Sequence, residues 1–192
     1  MFFVVIPIAT TLITERQHGT LVRLRTMNVS MPIFLLAKTF PYLVINQIQL
    51  IFMLLIGAYL IPLLGGDALN IDGSYPGLAI MALTTGYAAV GYGLFIAVIV
   101  KTTEHATILG GVGNILLGAI GGIMVPKFIM PDYLQLLTNI SPMAWALDGF
   151  LDIFLRNGGV MAVLAEAAAL LGFGSFMLLL AIVIFNREHH SH

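Results

Sequence analysis

The stretch GLAIMALTTGYAAVGYGLFIAVIV, residues 77–100, contains no charged side chain. As an α-helix it would be about 36 Å long, which is enough to cross a hydrocarbon core about 30 Å thick. Three further apolar runs are long enough for a membrane span: residues 31–64, 106–125 and 160–185. The sequence therefore predicts a single all-α domain over residues 1–192 that crosses a membrane several times.

The composition supports a membrane protein. Hydrophobic residues make up 59% of the chain and charged residues 9%, whereas soluble domains average about 45–50% and about 25%. A soluble domain of this size keeps much of its surface in water and has no interior large enough for so many apolar side chains. The net charge of −1 gives no sign of nucleic-acid binding, and the lack of cysteine excludes disulfides and thiolate chemistry. No residue pattern for catalysis is present. The His-rich tail at residues 186–192 is interpreted as a solvated tail, with weak metal binding through its imidazoles as the alternative.

The first apolar run, MFFVVIPIATTLIT at residues 1–14, is shorter than the others. As a helix it would be about 21 Å long, too short to span a bilayer. We interpret it as the second half of a spanning helix, which gives one partial and four full transmembrane helices. The same interpretation predicts that an earlier helix and an external domain are missing from the sequence.

The polar links between the helices predict the orientation. If the helices alternate in direction, most of the basic residues fall on one side: Arg16, Arg23, Arg25, Lys38, Lys101 and Arg187. The other side has only Lys127 and Arg156, beside five acidic residues: Asp67, Asp72, Asp132, Asp148 and Asp152. Since basic flanks stay in the cytoplasm, we expect the first side, and with it the tail at residues 186–192, to be cytoplasmic.

The long link at residues 126–159 is semi-apolar and contains two helix-start signals with proline. They predict short helices at 133–139 and 141–156, neither of which can span a membrane. If the pair crossed as one unit, the last helix would invert and the charge bias would worsen. We therefore predict a re-entrant or interfacial hairpin at the outer face, with Tyr133 and Trp145 at headgroup depth.

The segment ERQHGTLVRLRTMNVS, residues 15–30, is the densest charge cluster and joins two membrane helices. Gly19 permits a sharp change of direction, and Thr20 can cap a short helix over residues 21–26. A short cytoplasmic helix with a small apolar contact surface and flanking charges is suited to docking on another protein. The alternative is an ordinary basic flank of a membrane helix.

Polar residues lie inside predicted spans, among them Asn46, Gln47, Gln49 and Glu166. Asn46 and Gln49 share one helix face, and either form hydrogen bonds between helices or line a translocation path. Glu166 is an acid in the last helix. Because a carboxylate is costly in the membrane, it is either wetted, paired with a partner, or used to recognise a cation or a substrate.

The Gly-rich stretch at residues 110–122 is not a phosphate-binding loop, because no Gly-Lys-Ser/Thr follows and no strand precedes it. Its small and polar residues Gly111, Asn114, Gly118 and Gly122 fall on one helical face. Such a face lets two helix backbones approach closely. We interpret it as a helix-packing surface, and a substrate path along it is the alternative.

Taken in order, these features resemble the ABC-2 type permeases, the membrane subunits of a large class of ATP-binding-cassette transporters. The family's acidic-basic-x-x-Gly-Thr-Leu-x-x-Leu segment is matched from Glu15 to Leu24, and its basic residue at the start of the next helix by Lys38. The family's Gly-rich helix and proline-punctuated outer hairpin resemble residues 121–126 and 130–142. The resemblance covers nearly the whole chain.

The resemblance implies the role of the segment. In the family it is a coupling helix seated in a cleft of a separate ATPase, and it corresponds here to Glu15, Arg16, Gln17, His18, Gly19, Thr20, Leu21, Arg23 and Leu24. The chain itself is then no enzyme and binds no cofactor, while ATP and magnesium bind the ATPase partner. A second copy of the chain, or a related permease, would complete the translocation path. The expected function is export of a substrate, such as a drug or a lipid-like compound, across the cytoplasmic membrane.

Two other functions stay open on the sequence. One is an ion-coupled secondary transporter or channel that uses Glu166. A single intramembrane acid and the lack of a detectable inverted repeat argue against it. The other is an inactive permease fragment that acts as a membrane scaffold, which the short first helix favours.

Overall fold

A computed structural model of the chain describes residues 2–18, 31–66 and 74–190. Its helices in chain order are α1 (Val5–Gln17), α2 (Met31–Leu55), α3 (Tyr75–Ile99), α4 (Thr103–Ile120), α5 (Asp132–Thr138), α6 (Pro142–Phe154) and α7 (Leu164–His190). Helix α2 continues through a π-helical turn, Ile56–Leu60, into a last α-helical turn, Ile61–Leu63. Short 3-10 helices precede α1, α5 and α7, at Phe2–Val4, Lys127–Ile129 and Val160–Val163. The described residues form no β-strand, which confirms the predicted all-α class.

Helix α3, which contains the uncharged stretch at 77–100, is the centre of the bundle. It packs against α1, α2, α4, α6 and α7. Of its most apolar stretch 72% is buried inside the molecule, against 11% for α2 and 28% for the last helix. Because α3 carries no charge, it can be surrounded by other helices without leaving an unpaired buried charge.

Glycines let the neighbouring helices approach α3 closely. A methyl group on Gly91 would lie 2.6 Å from the carbonyl oxygen of Gly174 in α7, and one on Gly93 would lie 3.1 Å from Cα of Val5 in α1. On another side of α3, Gly86 lies against the polar side chains of α2. Backbone contact of this kind needs small residues and is the usual way for helices to pack in a membrane.

Three helices within the described ranges are long and apolar enough to cross a membrane: Ile33–Leu63, Tyr75–Ile99 and Val160–Arg187. Helix α4 is shorter, with 18 residues, and its first turn carries Glu104. The partial helix α1 has 13 residues. The predicted set of one partial and four full spans therefore stays a prediction for α1 and α4.

The bounds of α4 differ from the predicted 106–125. Thr102 accepts a hydrogen bond from the backbone N–H of His105 and caps the helix, so it begins at Thr103. It ends at Ile120, because Gly122 adopts a φ of +84°, a left-handed conformation that terminates helices and that glycine adopts without strain. The apolar residues 121–125 thus belong to a turn.

The predicted hairpin contains the two expected helices, α5 and α6, with bounds shifted by a few residues. Helix α6 packs against α3 and α7. In α6, Trp145 packs edge-on against Phe173 of α7 and donates a hydrogen bond from its indole N–H to the carbonyl oxygen of Asn139 at 3.0 Å. The position of this hairpin relative to a membrane stays a prediction.

Ser141 joins the hairpin to α4. Its side chain is fully buried, and its hydroxyl donates to the carbonyl oxygen of Leu117 at 2.8 Å. We expect Ser141→Ala to lower the stability of the detergent-solubilised chain by about 1 kcal/mol, the usual net value of one hydrogen bond, measured by thermal unfolding. Thr107→Ala is the matched control, since the hydroxyl of Thr107 makes a similar bond in an exposed position. Equal losses for the two variants would contradict a specific contribution of Ser141.

Candidate functional site

One end of the bundle gathers the polar residues that flank the predicted coupling segment. The C-terminal end of α1, the early turns of α2, the link between α3 and α4, and the C-terminal part of α7 all meet there. Three contacts connect them: Glu15 with Lys38, Arg16 with Phe185, and Gln17 with Lys101. We call this set of residues the polar end of the bundle.

The ion pair between Glu15 and Lys38 joins α1 to α2. The Lys38 Nζ lies 2.5 Å from the Glu15 Oε1, and the two side chains are 28% and 25% exposed. The same ammonium lies 5.7 Å from the centre of the Phe34 ring, within the range of a cation–π interaction. The pair is only partly accessible to solvent, so water screens it less than it would a fully exposed pair.

Arg16 joins α1 to α7. The central carbon of its guanidinium lies 5.7 Å from the centre of the Phe185 ring, and Phe185 is itself buried. The next residue, Gln17, donates from Nε2 to the carbonyl oxygen of Lys101 at 3.4 Å and so reaches the link between α3 and α4. Consecutive residues at the end of α1 therefore contact α2, α7 and the α3–α4 link.

The start of α4 also lies at the polar end. Hydrogen bonds from its own backbone N–H and from the side chain of Thr102 lower the pKa of the exposed Glu104 carboxyl. The nearby residue Lys101 in the α3–α4 link is also exposed.

The predicted coupling residues divide into three groups. Glu15 and Arg16 are half-buried and contact other helices of the chain, whereas Gln17 and His18 are exposed. The remaining predicted coupling residues lie outside the described residues: Gly19, Thr20, Leu21, Arg23 and Leu24.

The polar face of α2 points toward α3. Asn46 is fully buried, and its side-chain carbon lies 3.6 Å from where a methyl group on Gly86 would be. A hydrogen bond between the helices is made by Gln47, which donates from Nε2 to the carbonyl oxygen of Ala82 at 3.1 Å. Gln47 is not on the predicted face of Asn46 and Gln49, and Gln49 is half-buried. A role of Asn46 and Gln49 in a translocation path stays a prediction.

Glu166 lies in the first turn of α7, directly after the 3-10 helix. Its residue is half-buried, and its Oε2 is buried without a hydrogen-bond partner among the described residues. The positive end of the helix dipole favours a carboxylate at such a position. This lowers the cost of an acid there, and a role in recognition stays a prediction.

The predicted small-residue face of α4 is only partly used within the chain. Asn114 donates from Nδ2 to the carbonyl oxygen of Phe2 at 3.0 Å, and a methyl group on Gly118 would meet the sulfur of Met143 at 3.5 Å. Gly111 has no atom within 4 Å of such a methyl group. Gly122 lies beyond the end of the helix, so its placement on this face is wrong.

Close contacts of α4 and of the turn after it involve other glycines, which sequence reasoning missed: a methyl group on Gly113 would clash with the hydroxyl of Tyr92 in α3. A methyl group on Gly110 would lie 3.2 Å from Ile6 in α1, and one on Gly121 would lie 3.0 Å from the backbone nitrogen of Ala144 in α6. Gly110 is next to Gly111 in a run of glycines, and spacing alone does not tell which of them faces a neighbour.

The described residues contain no group of three or more His, Cys, Asp or Glu side chains that could hold a metal ion. A narrow crevice, with no room for a water molecule, lies between α1, α2 and α3. It is lined by Ile8, Thr11, Leu12, Lys38, Tyr42 and Leu94. Lys38, the partner of Glu15, is therefore one of its lining residues.

Comparisons with known proteins agree on one group of transporters. Residues 1–155 match the family described as ABC-2 type transporter. The linearmycin resistance permease protein LnrN of Bacillus subtilis is 27% identical over 169 residues, which cover 87% of this chain and 42% of the relative. The probable multidrug ABC transporter permease YbhR of Escherichia coli, in strains K12 and O157:H7, is 31% identical over 150 residues, covering 76% and 38%. The chain thus spans about two fifths of the length of these relatives. No solved structure gave a significant match.

Proposed function

The chain belongs to the ABC-2 type transporter family, and from this membership we propose that it is the membrane-spanning subunit of an ATP-driven exporter. ATP and magnesium bind a separate ATPase, and this chain carries the translocation path together with a second copy or a related permease. Its relatives are named as a linearmycin resistance permease and as probable multidrug permeases. The proposed substrates are therefore drug-like or lipid-like compounds.

The observation that carries this proposal is the set of contacts at the polar end. The coupling segment begins in the last turn of α1, at Glu15, and precedes α2. The residues where α1 ends contact α2, α7 and the α3–α4 link. A displacement of the segment by a bound ATPase would therefore reach several helices together. Allosteric change of this kind is a rigid-body movement between two states, biased by a ligand bound elsewhere.

The proposed orientation places the polar end in the cytoplasm, where ATP is available. This end carries Arg16, Lys38, Lys101 and Arg187, and the tail that follows α7 would also be cytoplasmic. The family membership favours this ATP-driven function over ion coupling through Glu166. A scaffold without transport activity remains the alternative that a binding experiment can exclude.

The first test is co-purification of an ATPase. The tagged full chain is extracted in mild detergent from its native membrane. We expect an ATPase to co-purify with it in a near-equal molar amount. Replacement of residues 19–24 by a Gly-Ser linker of equal length should reduce the bound ATPase by more than about tenfold, since loss of a central interface contact costs about 2 kcal/mol or more. The amounts are measured by quantitative immunoblot and by ATP hydrolysis in the eluate.

The control for this test is Arg156→Glu. Arg156 forms an exposed ion pair with Asp152 on α6, remote from the polar end, so the bound ATPase should not change. If the linker variant retained as much ATPase as the unaltered chain, residues 19–24 would not be the docking site. If the unaltered chain carried no ATPase, the proposed function would be wrong.

A further inference from the structure

We propose that Glu15 and Arg16 do not contact the ATPase but tie the coupling segment to the rest of the bundle, with Lys38 as the partner that transmits movement to α2. This inference rests on the proposed function and assigns positioning roles within the same site. It divides the segment from Glu15 to Leu24 into two parts. An inner pair of residues transmits movement, and an outer part docks on the ATPase.

The Glu15 carboxylate faces other helices of the chain. One oxygen pairs with Lys38 on α2. The other, Oε2, is buried within the chain. A partner protein docked from outside would therefore meet one oxygen already paired with Lys38 and would have to open the bundle to reach the other.

Arg16 is directed inward in the same way. Its guanidinium lies over the ring of Phe185, and its Nη1 is buried. Phe185 is only 2% exposed, so this contact belongs to the interior of the bundle. By contrast, the side chains of Gln17 and His18 are exposed at the end of α1 and are free to face a docked protein.

Helices α1 and α2 pack weakly against each other. Among the described residues, few backbone contacts join these two helices, and α2 packs mainly on α3. A narrow crevice lies between them beside Lys38. The other polar contact between them, from the Tyr42 hydroxyl to the carbonyl oxygen of Pro7, is long at 3.5 Å. The Glu15–Lys38 pair is therefore the strongest direct connection described between α1 and α2.

The functional consequence is a separation of two properties. ATPase binding should depend on the outer part of the segment, while the response of α2 to nucleotide should depend on the ion pair. Reversal of either charge should uncouple α2 and leave the ATPase bound. Reversal of both charges restores the attraction and should restore the response.

The experiment uses the full chain with its ATPase in proteoliposomes, in four forms: unaltered, Glu15→Lys, Lys38→Glu, and the double charge swap. The chain has no cysteine, so a single cysteine at the exposed Leu63, at the far end of α2, can report on that helix. The first readout is the amount of bound ATPase. The second is the rate of maleimide labelling at position 63, with and without ATP, which requires no knowledge of the substrate.

We expect all four forms to bind similar amounts of ATPase. ATP should change the labelling rate of the unaltered chain by about fivefold or more, the lower range of allosteric coupling. Each single reversal should abolish the change, and the double swap should recover at least half of it, as a double-mutant cycle requires of a direct pair. Glu15→Gln and Lys38→Met make the same test without reversed charges if a reversal prevents folding.

Other outcomes would overturn the inference. Loss of ATPase from Glu15→Lys that the double swap does not repair would show that Glu15 contacts the ATPase. An unchanged nucleotide response in both single variants would show that the ion pair transmits nothing. If no ATPase is bound to the unaltered chain, the proposed function fails and the inference fails with it. The control is the double reversal of the Asp152–Arg156 pair at the C-terminal end of α6, which should leave both readouts unchanged.

Discussion

Leucine in place of Gly91 is expected to abolish recovery of the folded chain. A methyl group at this position would lie 2.6 Å from the carbonyl oxygen of Gly174 and 3.1 Å from its Cα. These are backbone atoms that no side-chain rotation can move, so α3 and α7 would have to separate. Even Gly91→Ala should cost about 1–3 kcal/mol, the usual penalty for overpacking a core. Size-exclusion chromatography in detergent after stepwise heating measures both effects.

Gly172→Ala is the matched control for this prediction. Gly172 lies on the same helix as Gly174, but no atom lies within 4 Å of an added methyl group. Alanine stabilises a helix interior by about 0.5–1 kcal/mol relative to glycine, so this variant should be at least as stable as the unaltered chain. A loss of stability in Gly91→Ala together with a gain in Gly172→Ala would establish that α3 and α7 are in backbone contact at Gly91. Equal stability would show that α3 and α7 are farther apart than the structure has them.

The two ends of the bundle are expected to face opposite sides of the membrane. Chemical labelling of single cysteines at each end should therefore be all-or-none. Single cysteines at Lys101 or Arg187 report on the polar end, and those at Tyr133 or Leu155 report on the hairpin region. All four positions are exposed, and the chain has no cysteine of its own. In right-side-out membrane vesicles, a membrane-impermeant maleimide should label positions 133 and 155 only. In inside-out vesicles it should label positions 101 and 187 only, because basic flanks stay cytoplasmic.

Permeabilised vesicles, in which all four positions should react, control for reactivity. Labelling of position 101 from the outside would place the polar end away from the cytoplasm. A cytoplasmic ATPase could not then reach the coupling segment, and the exporter proposal would be untenable.

Much of the helical architecture follows from the sequence because the bilayer demands it. The uncharged run at 77–100 predicts a helix, and α3 is that helix. The proline signals before α5 and α6 predict short helices, which the structure contains. These features depend on local chemistry alone: length, hydrophobicity and capping. The family resemblance, carried by the order of short motifs, is confirmed over residues 1–155.

The contacts between helices were less accessible to sequence reasoning. The sequence shows Lys38 as the basic residue at the start of its helix, but its partner Glu15 is 23 residues away, and no local pattern identifies that pair. In α4, neighbouring glycines face different surroundings, so the close contact falls on Gly110 whereas Gly111 meets open space. Such details depend on the rotation of each helix about its axis, which a helical repeat of mostly apolar residues does not determine.

The shallow burial of α2 has a mechanical consequence. The helix is held near its middle, where Gln47 bonds to α3, and is held again at Lys38. From Gln47 the distance along the axis is about 14 Å to Lys38 and about 24 Å to Leu63. With Gln47 as the fulcrum, a rigid α2 would be a lever with unequal arms, and a pull of about 1 Å at Lys38 would swing the far tip by roughly 2 Å in the opposite direction.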